Sequence, residues 1–252
     1  MTNLPLYFFY ALLGVLPSVI WLFFYLRQDS RPEPNSLVLK IFFLGGLMGP
    51  LAILLQFIAM RLCQPDSLWS SFFSLPEKQS SLFFINVILF APLVEEYLKY
   101  LVVKWQILKN PAFDEPLDAM LYLIISALGF AAVENLLNIF MLGNLTPQAA
   151  ISQSAARFLS ATLLHTLSSG ILGYFLAQSL LNFKRRRVIF LGGLALAVVF
   201  HSFYNYLAWL LDFDKFFIAA MAALLVLGAG LVDWQFRHLK KQLAICKITK
   251  EV

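Results

Sequence analysis

The sequence predicts an all-α protein, a polytopic bundle of about seven transmembrane helices. Three observations carry that expectation. Hydrophobic residues make up 60% of the 252 residues and charged ones 13%, against roughly 45–50% and about 25% in soluble domains. The mean hydropathy of +0.77 is more than one water-soluble core can hide. Apolar runs of about 20 residues, the length that crosses a bilayer, recur along the whole chain. Together these exclude a soluble enzyme, a nucleic-acid-binding module and a disordered chain. The net charge of +5 marks orientation in the lipid bilayer, not a nucleic-acid footprint.

The spans are expected at Pro5–Leu26, Leu37–Met60, Leu82–Val103, Leu117–Leu142, Ser154–Leu181, Val188–Leu211 and Phe216–Trp234. The first lacks the basic leader and small-residue cleavage site of a signal peptide, so it is read as a retained span. The second holds Gly45, Gly46, Gly49 and Pro50, which either break it or let a neighbouring helix come close. The stretch Arg61–Ser81 sets Trp69, Phe72 and Phe73 among serines between Pro65 and Pro76. It is expected to be an interfacial loop, with a re-entrant gate as the sharper alternative. In the third span Pro92 removes one backbone hydrogen bond just before a pair of carboxylates. No internal repeat is visible. Residues 1–252 are therefore read as one membrane domain, with a catalytic core at about 82–211 and peripheral spans at 5–26, 37–60 and 216–234.

Basic residues set the expected topology. Arg27, Arg31, Lys40, Lys104, Lys109, the run Lys184 to Arg187, and the tail with Arg237, Lys240, Lys241, Lys247 and Lys250 fall on one side of seven alternating spans. Arg61, Lys78 and Lys215 fall on the other. The positive-inside rule then puts the N-terminus outside and the C-terminus in the cytoplasm. Cys63 and Cys246 lie on opposite sides and cannot pair.

Ionisable residues near a bilayer centre cost roughly 2.5–3.5 kcal/mol each on insertion scales, so each one demands an explanation. The third span reads Glu95-Glu96-Tyr-Leu-Lys99, the fourth Phe130-Ala-Ala-Val-Glu134-Asn135, the fifth carries His165 and the sixth His201-Ser-Phe-Tyr-Asn205. Taken singly, each has a bland reading. Glu95 and Lys99 are four apart and can neutralise each other; the histidines can bond across helices; Arg157, near the end of its span, can snorkel to the interface. Taken together the bland readings weaken. At about 1.5 Å per residue, Glu134 lies roughly 12 Å, the histidines near 15 Å and Glu95 near 20 Å from the outer ends of their spans. Scattered pairs have no reason to share one slab. Two histidines and three glutamates suit a zinc ion with room for a water, and equally a proton or cation pathway.

The motifs EExxK, FxxxEN, a lone histidine and HxxxN, in order on four successive spans, resemble the PrsW family of intramembrane proteases. That family is related to the CAAX-processing and bacteriocin-processing membrane proteases. The resemblance covers roughly Val87 to Leu207. The chain departs from it at Asp118-Ala119, where the family commonly has Asp-Gly, and at Asn138, where it has an aromatic residue. The resemblance implies hydrolysis of a peptide bond in a single-span membrane substrate, an anti-sigma factor in the better-known case, in a bacterial cytoplasmic membrane. Carried over by motif, Glu95, Glu96, Glu134, His165 and His201 form the site and Asn205 assists.

Chemistry then suggests roles. Glu134, His165 and His201 are expected to hold zinc, which activates water. Glu95 or Glu96 serves as general base, Lys99 keeps one of that pair ionised, and Asn205 donates to the oxyanion. A metal-free alternative has Glu95 activate water while His201 and Asn205 stabilise the oxyanion. A cation-coupled transporter is the next alternative, weakened by the lack of an inverted repeat. A catalytically dead relative is another, weakened because no motif residue is missing.

Overall fold

The buried middle of the bundle is the helix formed by Pro116–Met141 (α5), whose side chains from Ala119 to Leu128 are all fully buried. Around it stand Leu4–Leu26 (α1), Asn35–Cys63 (α2), Ala91–Gln106 (α4), Ala161–Leu181 (α7) and Phe217–Ile248 (α9), and Arg186–Leu210 (α8) packs on α7, α4 and α9. This computed structural model describes residues 4–29, 31–63, 81–141, 146–211 and 213–248, the last six without side chains. The loop expected at Arg61–Ser81 lies almost wholly outside the described residues.

Among the described residues, seven helices are long and apolar enough to cross a membrane, at the positions expected from hydropathy. Lipid tails are as apolar as leucine, so burial alone does not drive such helices together; close packing does. At the α2–α5 crossing the backbones touch. A Cβ added at Gly129 would land on the Phe42 carbonyl and lie 3.0 Å from the Gly46 nitrogen, and one at Gly45 would land on the Ser126 carbonyl. Gly45 and Gly46 therefore serve packing, and α2 runs unbroken through Pro50.

Two spans differ from the expected single helices, and both differences flank the polar slab. The third opens with the short helix Ser81–Ile85 (α3) and a π-helical turn at Asn86–Phe90 before α4 begins. Pro92 lies just beyond the turn: without an N–H it leaves the preceding carbonyls short of a donor, an interruption of the regular ladder that a π-turn accompanies here. The fifth is two helices, Pro147–Leu159 (α6) and α7, broken at Ser160. Helix α6 lies against α1. Ser154 Oγ donates to the Leu13 carbonyl at 2.7 Å, and Trp21 Nε1 donates at 2.9 Å to the Phe158 carbonyl freed by the break. The seventh span continues well past Trp234 as α9.

Candidate active site

Helix α4 points two neighbouring carboxylates in different directions. Glu96 is fully buried and saturated with donors. Its Oε1 accepts from Lys99 Nζ at 2.8 Å, Ser168 Oγ at 2.9 Å and His201 Nδ1 at 3.0 Å, and its Oε2 from Ser169 Oγ at 2.6 Å. The lysine's ion-pair partner is thus Glu96, three residues away, and not Glu95 four away. Glu95 instead faces a cavity of about 490 Å³. Among the described residues its Oε1 has only a 3.4 Å bond from Gln56 Nε2, and its Oε2 lies 3.9 Å from His165 Nδ1 and 3.8 Å from His201 Nε2.

Donor bookkeeping assigns the ring protons that the contacts require. Lys99, which can only donate, lies 2.9 Å from His165 Nδ1, so that nitrogen accepts. The ring proton then sits on Nε2 and is donated to Glu134 Oε2 at 2.5 Å. Glu96 can only accept, so His201 donates from Nδ1, and its Nε2 faces Glu95. The Lys99 ammonium also lies 4.5 Å from the centre of the Phe130 ring, a cation–π contact in a desolvated place.

Glu134 is held from the far side by α6. Arg157 Nη2 donates to Glu134 Oε1 at 2.7 Å, and Arg157 Nε donates to Asn135 Oδ1. Asn135 Nδ2 in turn donates to Thr162 Oγ1 at 3.0 Å. Arg157 therefore does not snorkel; only 12% of its side chain is exposed, because an anion sits within its reach at the same depth. The residues Glu95, Glu96, Lys99, Glu134, His165 and His201 form one connected network. Asn205 lines the same cavity, where its Nδ2 donates to the Val87 carbonyl at 3.0 Å. Gln56, Ser168 and Arg157 join the network without having been singled out for it in the sequence. A polar residue in an apolar run, as at Gln56, was the available signal.

The donors of Glu95, His165 and His201 all lie within 4.8 Å of one another. Zinc with bonds of about 2.0–2.1 Å keeps tetrahedral ligand atoms roughly 3.4 Å apart. A carboxylate and two imidazoles at 3.8–3.9 Å fit a divalent cation after a small contraction and release of Lys99 from His165. The compact set contains Glu95 where Glu134 was expected; Glu134 adjoins it through the opposite nitrogen of His165.

No solved structure matches the chain. The model for "PrsW family intramembrane metalloprotease" matches residues 33–230. The chain is 29% identical over 195 residues to Protease PrsW of Geobacillus kaustophilus, covering 77% of each protein. It is 27% identical to Protease PrsW of Clostridioides difficile, covering 78% of this chain and 77% of that one. With Protease PrsW of Bacillus subtilis the identity is 25%, over 77% and 80%. With seven membrane-length helices and bacterial relatives that are proteases, the protein is a multi-pass protease of a bacterial membrane, and it belongs to the PrsW family.

Proposed function

We propose that the protein cuts a single-span membrane protein, of the anti-sigma-factor type the resemblance implies, within the outer half of the bilayer. Glu95, His165 and His201 would hold a divalent cation, zinc by the chemistry of the donors. The observation that carries this reading is the convergence of those three donors, within 4.8 Å of one another, on the wall of a cavity of about 490 Å³. Bound there, zinc supplies a Lewis acid that brings the pKa of a water toward about 7. Glu134 on the cavity wall receives the water's proton and returns it to the leaving amine. His165 Nε2–H and Arg157 fix its two oxygens and keep it an acceptor. Arg157, the one lysine or arginine lining the cavity among the described residues, stabilises the charge that develops on the carbonyl oxygen. Glu96, dry and saturated, orients His201 through Nδ1, as carboxylates behind ligating histidines do. Lys99 balances Glu96.

The outer placement rests on depth and sidedness. Glu134 is about 11 Å of helical rise from the end of α5 at Met141, and the excess of basic residues on the other side makes that end extracytoplasmic. A substrate helix unwinds most readily near its end, where its carbonyls can leave their own hydrogen bonds.

One observation favours a metal-free reading: Lys99 occupies the Nδ1 lone pair of His165. Glu95 would then activate the water directly, with His201 and Arg157 at the oxyanion. The deciding experiment reconstitutes the protein in liposomes with single-span reporters and compares wild type, Glu95→Gln and His201→Ala. Zinc content and chelator sensitivity are measured alongside. Stoichiometric zinc in the wild type that is lost in both variants, together with cleavage, supports the metal reading. Cleavage that survives chelation without zinc supports the other. Cleavage retained by Glu95→Gln overturns both.

A further inference from the structure

The π-turn before the carboxylates leaves one carbonyl without its regular donors in the helix. In a regular helix the Val87 carbonyl accepts from the N–H of residue 91, and in a π-turn from that of residue 92. The Ala91 N–H is committed to the Asn86 carbonyl. Residue 92 is proline and has no N–H. Val87 is thus orphaned at a depth where no lipid can satisfy it, and an unpaired buried carbonyl is costly. The donor that reaches it is Asn205 Nδ2, at 3.0 Å, from a different helix.

We propose that Asn205 is a positioning residue: its side-chain amide replaces the backbone donor that Pro92 lacks, and so locks the π-turn that aims Glu95 and Glu96. The geometry supports this at two points. Asn205 lies one turn after His201 on α8, and His201 Nδ1 bonds Glu96 Oε1 at 3.0 Å. Helices α8 and α4 are thereby pinned twice, once at the Glu96 carboxylate and once at the turn that starts its helix. With both pins in place, Glu95 cannot rotate about the helix axis away from His165 and His201. With only one, the turn can slide between π and α register. A one-residue change of register rotates everything after it by about 100° relative to what precedes it.

This role makes a rescue possible that a direct role on the substrate does not. Asn205→Ala should lower kcat about ten- to hundredfold with KM changed less than about twofold, the scale of leaving one buried acceptor unpaired. Pro92→Ala alone supplies a backbone N–H for the orphaned carbonyl and keeps near-normal activity. The double variant Asn205→Ala/Pro92→Ala should recover most of the lost kcat. Kinetics use a single-span reporter in liposomes, and this arm rests on the protease reading above. A second arm does not: hydrogen exchange in the segment 84–95, measured on the same proteins in detergent, should quicken in Asn205→Ala and slow again in the double variant. Recovery of both readouts supports the proposal. Failure of the double variant to recover kcat while exchange is restored overturns it in favour of a direct contact between Asn205 and the reacting groups. Unchanged exchange in Asn205→Ala overturns it outright. A wild type that cuts no reporter refutes the protease reading, and the exchange comparison still decides this one.

Discussion

Removing the Lys99 ammonium tests how the dry half of the site is held. Lys99 and Glu96 are both 0% exposed and form the ion pair at 2.8 Å. In Lys99→Met the Glu96 carboxylate keeps three donors, from Ser168, Ser169 and His201, but loses its full counter-charge. Breaking a buried pair from one side costs about 3–5 kcal/mol, whereas removing both charges together is often close to neutral. The expected pattern is therefore a cycle. Lys99→Met and Glu96→Gln should each lose about 3–5 kcal/mol of unfolding free energy in mixed micelles. The double variant should lose only about 1–2 kcal/mol, because the amide oxygen can still accept from Ser168 and His201 while its NH2 donates to a rotated Ser169 hydroxyl. The coupling is then at least about 4 kcal/mol, above the roughly 0.5–3 kcal/mol range for touching residues. Proteolytic activity should stay low in the double variant, since His201 loses its anionic orienting partner. Additive losses, with the double variant as unstable as the sum of the singles, would refute the reasoning. So would a Lys99→Met variant as stable as wild type.

Three further outcomes are expected. Arg157→Ala should lower kcat/KM about ten- to hundredfold in the liposome assay, with Arg157→Lys intermediate, because a lysine can meet Glu134 Oε1 but not Asn135 as well. Gly129→Ala should destabilise by about 1–3 kcal/mol or more, measured by unfolding in mixed micelles, because the added methyl must push α2 off α5 at a backbone contact. Glu33, in the connection between α1 and α2, has its carboxyl pushed above the ordinary 4.5 by burial first, then by the nearby charges of Asp29 and Asp114, against the lowering effect of hydrogen bonds with Tyr122 and Asp118. A raised carboxyl favours the folded state below its ordinary value and loses that contribution as pH rises through the folded value. Glu33→Gln should therefore gain thermal stability relative to wild type as pH rises from about 4 to 7, and a constant difference across that range would overturn the account.

Much of this architecture was legible because lipid is an unforgiving solvent. Every span showed as an apolar run, and every charge inside one was conspicuous, so the convergence of Glu95, Glu134, His165 and His201 on one level followed from helical rise alone. What escaped were choices between near-equal local options. Lys99 can reach back three residues or four, and only the position of α7, with Ser168 and Ser169 behind Glu96, selects three. Pro92 announced a disturbance but not its form; the π-turn depends on Asn205 arriving from α8. Arg157 is indistinguishable from a snorkelling arginine by depth, and becomes an ion-pair partner only because the chain breaks at Ser160 and lays α6 across the mouth of the cavity. Glu134 and Glu95 exchanged neighbours for a similar reason: rotation of each helix about its axis is set by packing, which periodicity does not report.

The charges of the site do not balance, and the imbalance has an address. Three carboxylates face two permanent cations. Lys99 is spent on Glu96 and Arg157 on Glu134. The surplus negative charge therefore sits on Glu95, which has no lysine or arginine partner among the described residues and is 15% exposed to the cavity. An unpaired carboxylate at this depth is destabilising by roughly 2.5–3.5 kcal/mol on insertion scales, less whatever cavity water returns. A protein selected for stability alone would not keep it; a site that must attract a divalent cation or take a proton from water needs it. Glu95→Gln should then separate the two properties, abolishing cleavage while raising the unfolding free energy of the metal-free protein in mixed micelles by about 1–2 kcal/mol. A Glu95→Gln variant less stable than wild type under those conditions would mean that Glu95 is already paired, and that the reactive charge of the site lies elsewhere.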